Sequence, residues 1–290
     1  KDFGLNFNFN IAYNRNKIDK LNLDNPWQSS NWSGSTISKY EDYRVEEGGR
    51  LGEIWGYKMN GYYTVAQYDA DGNYLSGDLV LNEKGEWALV DGKKDKSKDL
   101  FGGNLYPGVP KVQVDKDGNP IKQRLGNTVA PTTGGFGFDG RVGNFDFNVF
   151  FNYSLGNKLI NGTKLANSFY AGSSKNYNLV ADFNLANRYT WIDPENGLNL
   201  GRPSSSTIAS YGGVEAVMAR LNEINQGRNM YNPAGVTAMQ LIDYAVEDAS
   251  FLRLQNVTVG YTLPKKWVKA LQIENIRIYF TGYNLFCFTG

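Results

Sequence analysis

Residues 3–13 read FGLNFNFNIAY. Every odd-numbered position carries an apolar or aromatic side chain, and every even-numbered position carries Gly, Ala or Asn. Because successive side chains of a β-strand point to opposite faces, this alternation predicts one long strand with an apolar face and a polar face. The apolar face consists of Phe3, Leu5, Phe7, Phe9, Ile11 and Tyr13.

A second stretch with the same alternation covers residues 145–153, and it allows a test of register. Its apolar positions are odd-numbered, whereas those of residues 136–142 are even-numbered. A two-residue turn at Gly143 and Asn144 would pair Val142 with Phe145 and bring both apolar sets to one face. The change of parity therefore predicts a tight hairpin. In residues 145–153 the apolar side chains are Phe145, Phe147, Val149, Phe151 and Tyr153, the polar ones are Asp146, Asn148 and Asn152, and Phe150 is the exception.

Further strands are predicted over residues 251–263 and 275–286, and a weaker one over residues 53–66, which gives about six strands in all. In residues 251–263 the side chains of Val257, Val259 and Tyr261 share a face. Leu252 and Leu254, at the start of the same stretch, lie out of phase with them.

The alternation fits a soluble β-sandwich or a membrane β-barrel, and two features favour the barrel. Eleven residues at about 3.3 Å each, tilted by roughly 45°, span about 25 Å, the height of the apolar band of an outer-membrane barrel. Soluble strands usually have only about 5–6 residues. The connections also differ greatly in length, since residues 143–144 form a turn of two and residues 155–250 a connection of 96. Short turns at one end and long loops at the other are typical of bacterial membrane barrels.

We therefore predict an all-β fold, an antiparallel transmembrane β-barrel with residues 67–133 and 155–250 as long extracellular loops. The face opposite the Asn and Gly residues is predicted to contact lipid. The predicted lipid-facing side chains are Phe3, Leu5, Phe7, Phe9, Phe145, Phe147 and Val149.

The composition of the chain excludes several functions. Lys and Arg number 30 against 29 Asp and Glu, so no basic field favours a nucleic-acid partner. His is absent and Cys287 is the one Cys, which excludes His-dependent catalysis, His-ligated metal sites and internal disulfides. Residues 135–140 match GxGxxG but lie in a predicted strand, so we expect no dinucleotide cofactor there.

The first predicted loop contains two similar acidic segments, DADGN at residues 69–73 and DKDGN at residues 115–119. Both fit β-turns with Gly in the left-handed conformation. The alternative is a calcium loop in which Asp115, Asp117 and Asn119 would supply oxygen ligands. An EF-hand loop needs Gly at its sixth position, and here Gly is fourth, so we favour turns and expect no metal.

The second predicted loop contains one helix and several aromatic residues. The apolar side chains of residues 214–224 follow helical spacing. Tyr170, Tyr177, Tyr189 and Trp191 are candidates for stacking on a sugar, and we favour the alternative that each packs within a large loop.

The end of the chain resembles a known family. Residues 248–264, DASFLRLQNVTVGYTLP, closely resemble a segment near the C-terminus of SusC/RagA-type TonB-linked outer-membrane transporters. Residues 278–286, 51–57, 133–136, 147–151 and 10–16 are similar to further family segments, in the family's order. The residues that carry the main motif are Ser250, Phe251, Leu252, Arg253, Asn256, Gly260, Tyr261 and Pro264.

The resemblance implies a barrel of about 22 strands with a plug inside, in a protein of roughly a thousand residues. Residues 1–290 are then expected to be an internal part of the barrel domain, without the plug domain and the last strands. The family's activity would be the import of oligosaccharides or peptides, without catalysis. Its partners would be a SusD-like surface lipoprotein and TonB, which acts through the N-terminal part.

Two alternatives remain open at this point. A TonB-linked siderophore or cobalamin receptor shares the barrel but would not be expected to carry residues 248–264 in this form. A soluble β-sandwich that binds carbohydrate is the alternative outside the membrane, and it would purify without detergent.

Overall fold

The computed structural model describes residues 3–22, 27–30, 42–169, 178–269 and 272–290. The strands are β1 (Phe3–Tyr13), β2 (Trp27–Ser30), β3 (Tyr43–Glu46), β4 (Glu53–Tyr57), β5 (Met59–Tyr62), β6 (Gln67–Tyr68), β7 (Tyr74–Ser76), β8 (Leu79–Leu81), β9 (Trp87–Leu89), β10 (Pro110–Val112), β11 (Lys122–Asn127), β12 (Thr132–Val142), β13 (Phe145–Leu155), β14 (Lys158–Ile160), β15 (Val246–Asp248), β16 (Phe251–Thr262) and β17 (Arg277–Thr289). The α-helices are α1 (Gly162–Ala166), α2 (Ser205–Tyr211), α3 (Val214–Ile224) and α4 (Lys265–Val268). Single 3₁₀ turns cover Ser97–Phe101, Ala181–Phe183, Pro233–Gly235 and Asp243–Ala245.

The five longest strands form one antiparallel sheet in the order β1-β12-β13-β16-β17. The tight hairpin is confirmed, because Val142 pairs with Phe145 and the two strands stay in register as far as Thr132 and Leu155. β1 has the predicted bounds. The sheet of the described residues has five strands rather than about six, since residues 53–66 form the short strands β4 and β5 in smaller sheets.

With the strands paired in this register, the apolar positions of the five strands lie side by side and form one continuous face. A central row runs from Phe7 through Phe138 and Val149 to Val257. Phe7 is 70% exposed, and most of its neighbours on the outer strands of the sheet are also exposed. Water would disfavour such an extended aromatic surface, so the face requires an apolar environment.

The irregular start of β16 has a structural cause. Against β13, Gln255 is one additional residue in β16; against β17, the register shifts at the same place, with the additional residue in β17. A β-bulge of this kind changes the parity of the side chains. Leu252 and Leu254 therefore return to the apolar face together with Val257 and Val259.

Both long connections leave the sheet at the same end of its strands. Residues 14–131 join β1 to β12, and residues 156–250 join β13 to β16. The Gly143–Asn144 turn and the connection that contains α4 lie at the opposite end of the strands. There, the Thr262 N–H donates to the Asn144 carbonyl at 2.9 Å. This arrangement matches the asymmetry of short turns and long loops on which the barrel prediction depends.

The two long connections pack into one folded body, which we call the loop unit (the described residues of 42–131 and 156–249). Its core combines side chains such as Ile54, Phe101 and Val112 with Leu165, Leu200 and Leu221 from the second connection. The predicted helix is confirmed as α3, whose buried side chains are Val217, Met218 and Leu221. None of the helices in the described residues combines the length and the apolar character that crossing a membrane would require.

Candidate functional site

The predicted lipid-facing residues all lie on the apolar face of the five-stranded sheet. On β1, at one edge of the sheet, Phe3, Leu5, Phe7 and Phe9 are 57–70% exposed. Phe145 is 55% exposed, whereas Phe147 and Val149 are half-buried, because β13 has a neighbouring strand on each side. Contact with lipid remains a prediction, and the geometry that it needs is present.

The opposite face carries mostly polar side chains, several of which are joined across strands. The aromatic exceptions on this face are Phe150, Phe251, Tyr279 and Tyr283. Asn6 donates to Asp139 at 3.0 Å, and Asn256 donates to Asn148 at 2.6 Å. The hydroxyl groups of Thr258 and Thr281 lie 3.0 Å apart. Most of these groups are neutral donors and acceptors. Such a wall can hydrogen-bond a neutral polar solute without holding it by charge.

One motif glycine makes room for the ion pair on this face. The Arg277 guanidinium binds the Asp146 carboxylate with two nitrogens, and its Nε lies 3.0 Å from Oδ1. A Cβ on Gly260 would lie 2.5 Å from Nη2 of Arg277 and 2.7 Å from Oδ1 of Asp146. Any larger residue would therefore displace the ends of these two partly exposed side chains.

The start of the motif attaches the ends of β13 and β16 to the loop unit. Ser250 Oγ accepts the Gly156 N–H at 2.9 Å, and Asp248 accepts the Ser250 N–H at 2.8 Å. Lys158 forms an ion pair with Asp248 at 2.9 Å. The hydrogen bonds from Ser250, with Lys158, hold the pKa of the Asp248 carboxyl well below its usual range.

The remaining motif residues pack along β16. Arg253 lies over the ring of Phe251 at 4.8 Å, and Tyr261 packs on Phe145 with the ring centroids 4.6 Å apart. Pro264 directly precedes α4. In the described residues, the family motif therefore serves sheet geometry and the connections to it.

The two stacking candidates that are described, Tyr189 and Trp191, lie in the core of the loop unit. They are 3% and 6% exposed, and the Trp191 indole donates to the Pro107 carbonyl at 2.7 Å. Tyr189 meets the ring of Tyr62 edge-on at 5.3 Å, and burial raises the pKa of its hydroxyl. This placement agrees with packing rather than stacking on a ligand. Tyr170 and Tyr177 lie outside the described residues.

The acidic segments form the predicted turns. The Asp115 carboxylate accepts the N–H groups of Asp117 and Asn119, both at 2.9 Å, and the Asn119 side chain at 3.1 Å. Gly118 has φ +79°, in the left-handed region. Asp69 makes the matching contacts in the other turn. Within the described part of the chain, no group of three or more His, Cys, Asp or Glu residues could hold a metal ion.

Two features of the loop unit have no clear sequence signal. One is a groove along α3, formed by two recesses of about 500 and 790 Å³ that share Gln67, Ala219 and Asn222. Its lining combines amide and hydroxyl side chains with the exposed side chains of Tyr68 and Leu75. The carboxylates of Asp69, Glu215 and Glu223 also line it. The groove results from the packing of residues distant in sequence, so periodicity within one segment could not have found it.

The other feature is a buried carboxylate. Asp78 is 8% exposed, and it accepts hydrogen bonds from Lys111 Nζ at 2.9 Å, Lys93 Nζ at 3.0 Å and the Thr64 N–H at 3.1 Å. Burial alone would raise the pKa of Asp78. The hydrogen bonds, led by that from Lys111, outweigh burial and hold the pKa below its usual range.

Two curated relatives align over nearly the whole chain. TonB-dependent receptor P3 of Formosa agariphila is 24% identical over an alignment of 294 positions, which covers 100% of this chain and 23% of that protein. TonB-dependent receptor P39 of the same organism is 22% identical over an alignment of 302 positions, which covers 97% of this chain and 24% of that protein. The chain thus spans about a quarter of the length of these relatives. No family model matches it.

Solved structures give the same answer for the fold. The structure of the RagAB peptide transporter matches 99% of this chain with a TM-score of 0.59 and 18% identity, over 24% of its own length. That of the RagAB peptide importer in the "closed-closed" state matches 100% of this chain with a TM-score of 0.59 and 19% identity, again over 24%. The comparisons confirm the resemblance to TonB-dependent transporters and the antiparallel all-β fold.

Proposed function

We propose that the chain is part of the barrel of a TonB-linked active transporter of the bacterial outer membrane, which imports oligosaccharides or peptides together with a SusD-like lipoprotein. The observation that carries the proposal is the continuous apolar face of five long strands, with a polar face behind it and both long connections at one edge. A soluble sandwich would need a second sheet to cover that face, and the loop unit leaves it exposed.

The nature of the solute is supported by two observations. The polar face and the groove along α3 offer neutral hydrogen-bonding groups, which suit glycan hydroxyls and peptide amides alike, and the groove adds three carboxylates. The matching solved structures are those of a peptide transporter and a peptide importer, which favours the peptide class. We propose residues 67–133 and 155–250 as the extracellular loops that meet solute and partner.

The proposal is tested by uptake into cells of the source bacterium. Cells that have or lack the complete transporter would be given labelled peptides and labelled oligosaccharides, each with and without a functional TonB. We expect uptake of one class to require both the transporter and TonB. Unchanged uptake of both classes in the cells without the transporter would contradict the proposed function.

Purification tests the location and the partner. We expect the complete transporter to require detergent and to bring a SusD-like lipoprotein with it. Recovery from the soluble fraction would favour the carbohydrate-binding sandwich instead. Recovery in detergent without a lipoprotein, together with uptake of a siderophore or cobalamin, would favour the other class of TonB-linked receptor.

Cysteine labelling on intact cells tests the orientation. Ser205 is exposed at the start of α2 in the loop unit, whereas Asn144 lies in the tight turn at the opposite edge of the sheet. In a Cys287→Ser background, Ser205→Cys should react with an impermeant maleimide, and Asn144→Cys should react only after the outer membrane is opened. The reverse pattern would overturn the orientation. Protection of Ser205→Cys by the co-expressed lipoprotein would place the partner at that site.

A further inference from the structure

The connection between β16 and β17 presents an unbalanced positive charge and an exposed indole. Lys265 and Lys266 lie in α4, and Lys269 follows it directly. Trp267 is 58% exposed, whereas its neighbour Val268 is 2% exposed and anchors the helix. None of the ion pairs in the described residues involves these three lysines.

The helix begins where the apolar face ends. At this end of the strands, the last paired apolar side chains are Phe145, Tyr261 and Ile278. Three residues after Tyr261 the chain reaches Pro264, which precedes α4, and the Leu263 N–H still donates to the Ile276 carbonyl at 2.9 Å. The lysines therefore lie just beyond the end of the surface that requires an apolar environment. At the edge of a bilayer, this level is occupied by lipid headgroups.

A recess of about 320 Å³ lies beside the helix. Its lining consists of Lys265, Lys269, Gln272, Ile273 and Glu274. Two ammonium groups against one carboxylate leave a net positive charge, the Gln amide adds a hydrogen-bond donor, and Ile273 is 42% exposed. Cations, an amide and an apolar edge in one recess match a phosphate diester that continues into a glycerol ester.

We propose that α4 and this recess bind the anionic headgroup of a phospholipid in the periplasmic leaflet, with Lys265 and Lys269 on the phosphate and Trp267 at the level of the glycerol. The inference rests on the proposed placement in the outer membrane, in which the end of the strands with the short turns faces the periplasm. Each lysine near an anionic lipid surface raises the local concentration of the anionic lipid about fivefold. An indole at the interface keeps its ring in the apolar layer and its N–H near water.

Quenching of Trp267 by brominated lipid tests the inference in the complete transporter. Vesicles would contain equal parts of phosphatidylcholine and phosphatidylglycerol, with bromine on the chains of one lipid or of the other. The emission of Trp267 is the difference between the unchanged protein and Trp267→Phe. We expect a preference of at least about fivefold, the effect of one lysine, for brominated phosphatidylglycerol. Replacement of Lys265, Lys266 and Lys269 together by Gln should abolish the preference, and their replacement by Arg should keep it.

A second reporter separates this inference from the placement on which it rests. Phe280→Trp in the Trp267→Phe background puts an indole on the apolar face, where Phe280 is 74% exposed. If this reporter is quenched and Trp267 shows no preference between the two lipids, the headgroup site is refuted and the membrane placement stands. A preference that survives the Gln substitutions also refutes the site. If neither reporter is quenched, the placement itself fails.

Discussion

Replacing Phe7 by Arg tests the assignment of the apolar face most directly. Phe7 is the fifth of eleven residues in β1, it pairs with Phe138, and its side chain is 70% exposed. The Arg side chain would therefore meet no steric obstacle in the described structure. Any large cost would come from the medium that surrounds this face.

The depth of each position sets the expected magnitude. With a rise of about 3.3 Å per residue and a tilt of roughly 45°, each residue advances about 2.3 Å through the apolar band. Phe7 then lies about 9 Å from the end of the band at Phe3, close to the midplane. An Arg there should cost about 2–4 kcal/mol of unfolding free energy, and an Arg at Phe3 about 0–1 kcal/mol. Phe147, two residues from the end of its strand, should fall between them.

The measurement is urea unfolding of the complete transporter in lipid vesicles, compared with the unchanged protein. The matched control is Asn8→Arg, because Asn8 neighbours Phe7 in sequence but lies on the polar face opposite Gly137. It should cost much less than Phe7→Arg. Equal losses for Phe7→Arg and Asn8→Arg would refute the assignment of the two faces, and equal losses for Phe7→Arg and Phe3→Arg would refute the depth argument.

Three further substitutions test the packing and the charges. Gly260→Ala should lower the midpoint of the urea titration modestly, because its Cβ would push apart the flexible ends of the Arg–Asp pair of the polar face, whereas Gly4→Ala meets no atom within 4 Å and should leave the midpoint unchanged. Trp191→Ala should destabilise the loop unit by about 3–5 kcal/mol in hydrogen exchange of the complete protein, and a near-neutral result would contradict its role in packing. Asp78→Asn should lower the melting temperature at pH 7. The folded-state pKa of Asp78 lies below its usual 3.8, so the stability that it contributes is present above that value and lost as the pH falls through the folded-state pKa. The deficit of the variant should therefore shrink in melts below pH 3.8, and a constant deficit would show that charge is not its cause.

Local sequence predicted the sheet well because each strand has to satisfy two different surroundings. Alternation fixed the bounds of β1, and the change of parity around the Gly143–Asn144 turn fixed the register of the hairpin. The phase error at Leu252 and Leu254 was visible too, although its cause, the bulge at Gln255, needed the neighbouring strands. A bulge is a property of pairing, and the sequence of one strand does not state its partner.

The loop unit was predicted less well, because its core is assembled from two segments that are distant in the chain. Trp87 donates to the Gly201 carbonyl at 2.9 Å, and the Leu81 N–H contacts the Met218 sulfur at 3.5 Å. Each segment alone reads as a polar, turn-rich loop, with short strands and few consecutive apolar residues. Helix α3 was found because amphipathic periodicity is contained within one segment. The groove along α3 and the cluster around Asp78 depend on both segments, and neither has a local pattern.

The distribution of aromatic residues joins these two parts of the molecule. In the sheet, large aromatic side chains such as Phe7 and Phe280 point outward and are more than two-thirds exposed. In the loop unit, Tyr63, Trp191 and Tyr231 are at most 6% exposed. One chain therefore buries aromatic side chains in the core of the loop unit and displays them on the long strands. A single solvent would not stabilise both arrangements, because exposed aromatic area is unfavourable in water. The change from exposed to buried aromatic side chains falls at the end of the strands where both long connections begin. We therefore expect the boundary between membrane and water to lie at that end of the strands.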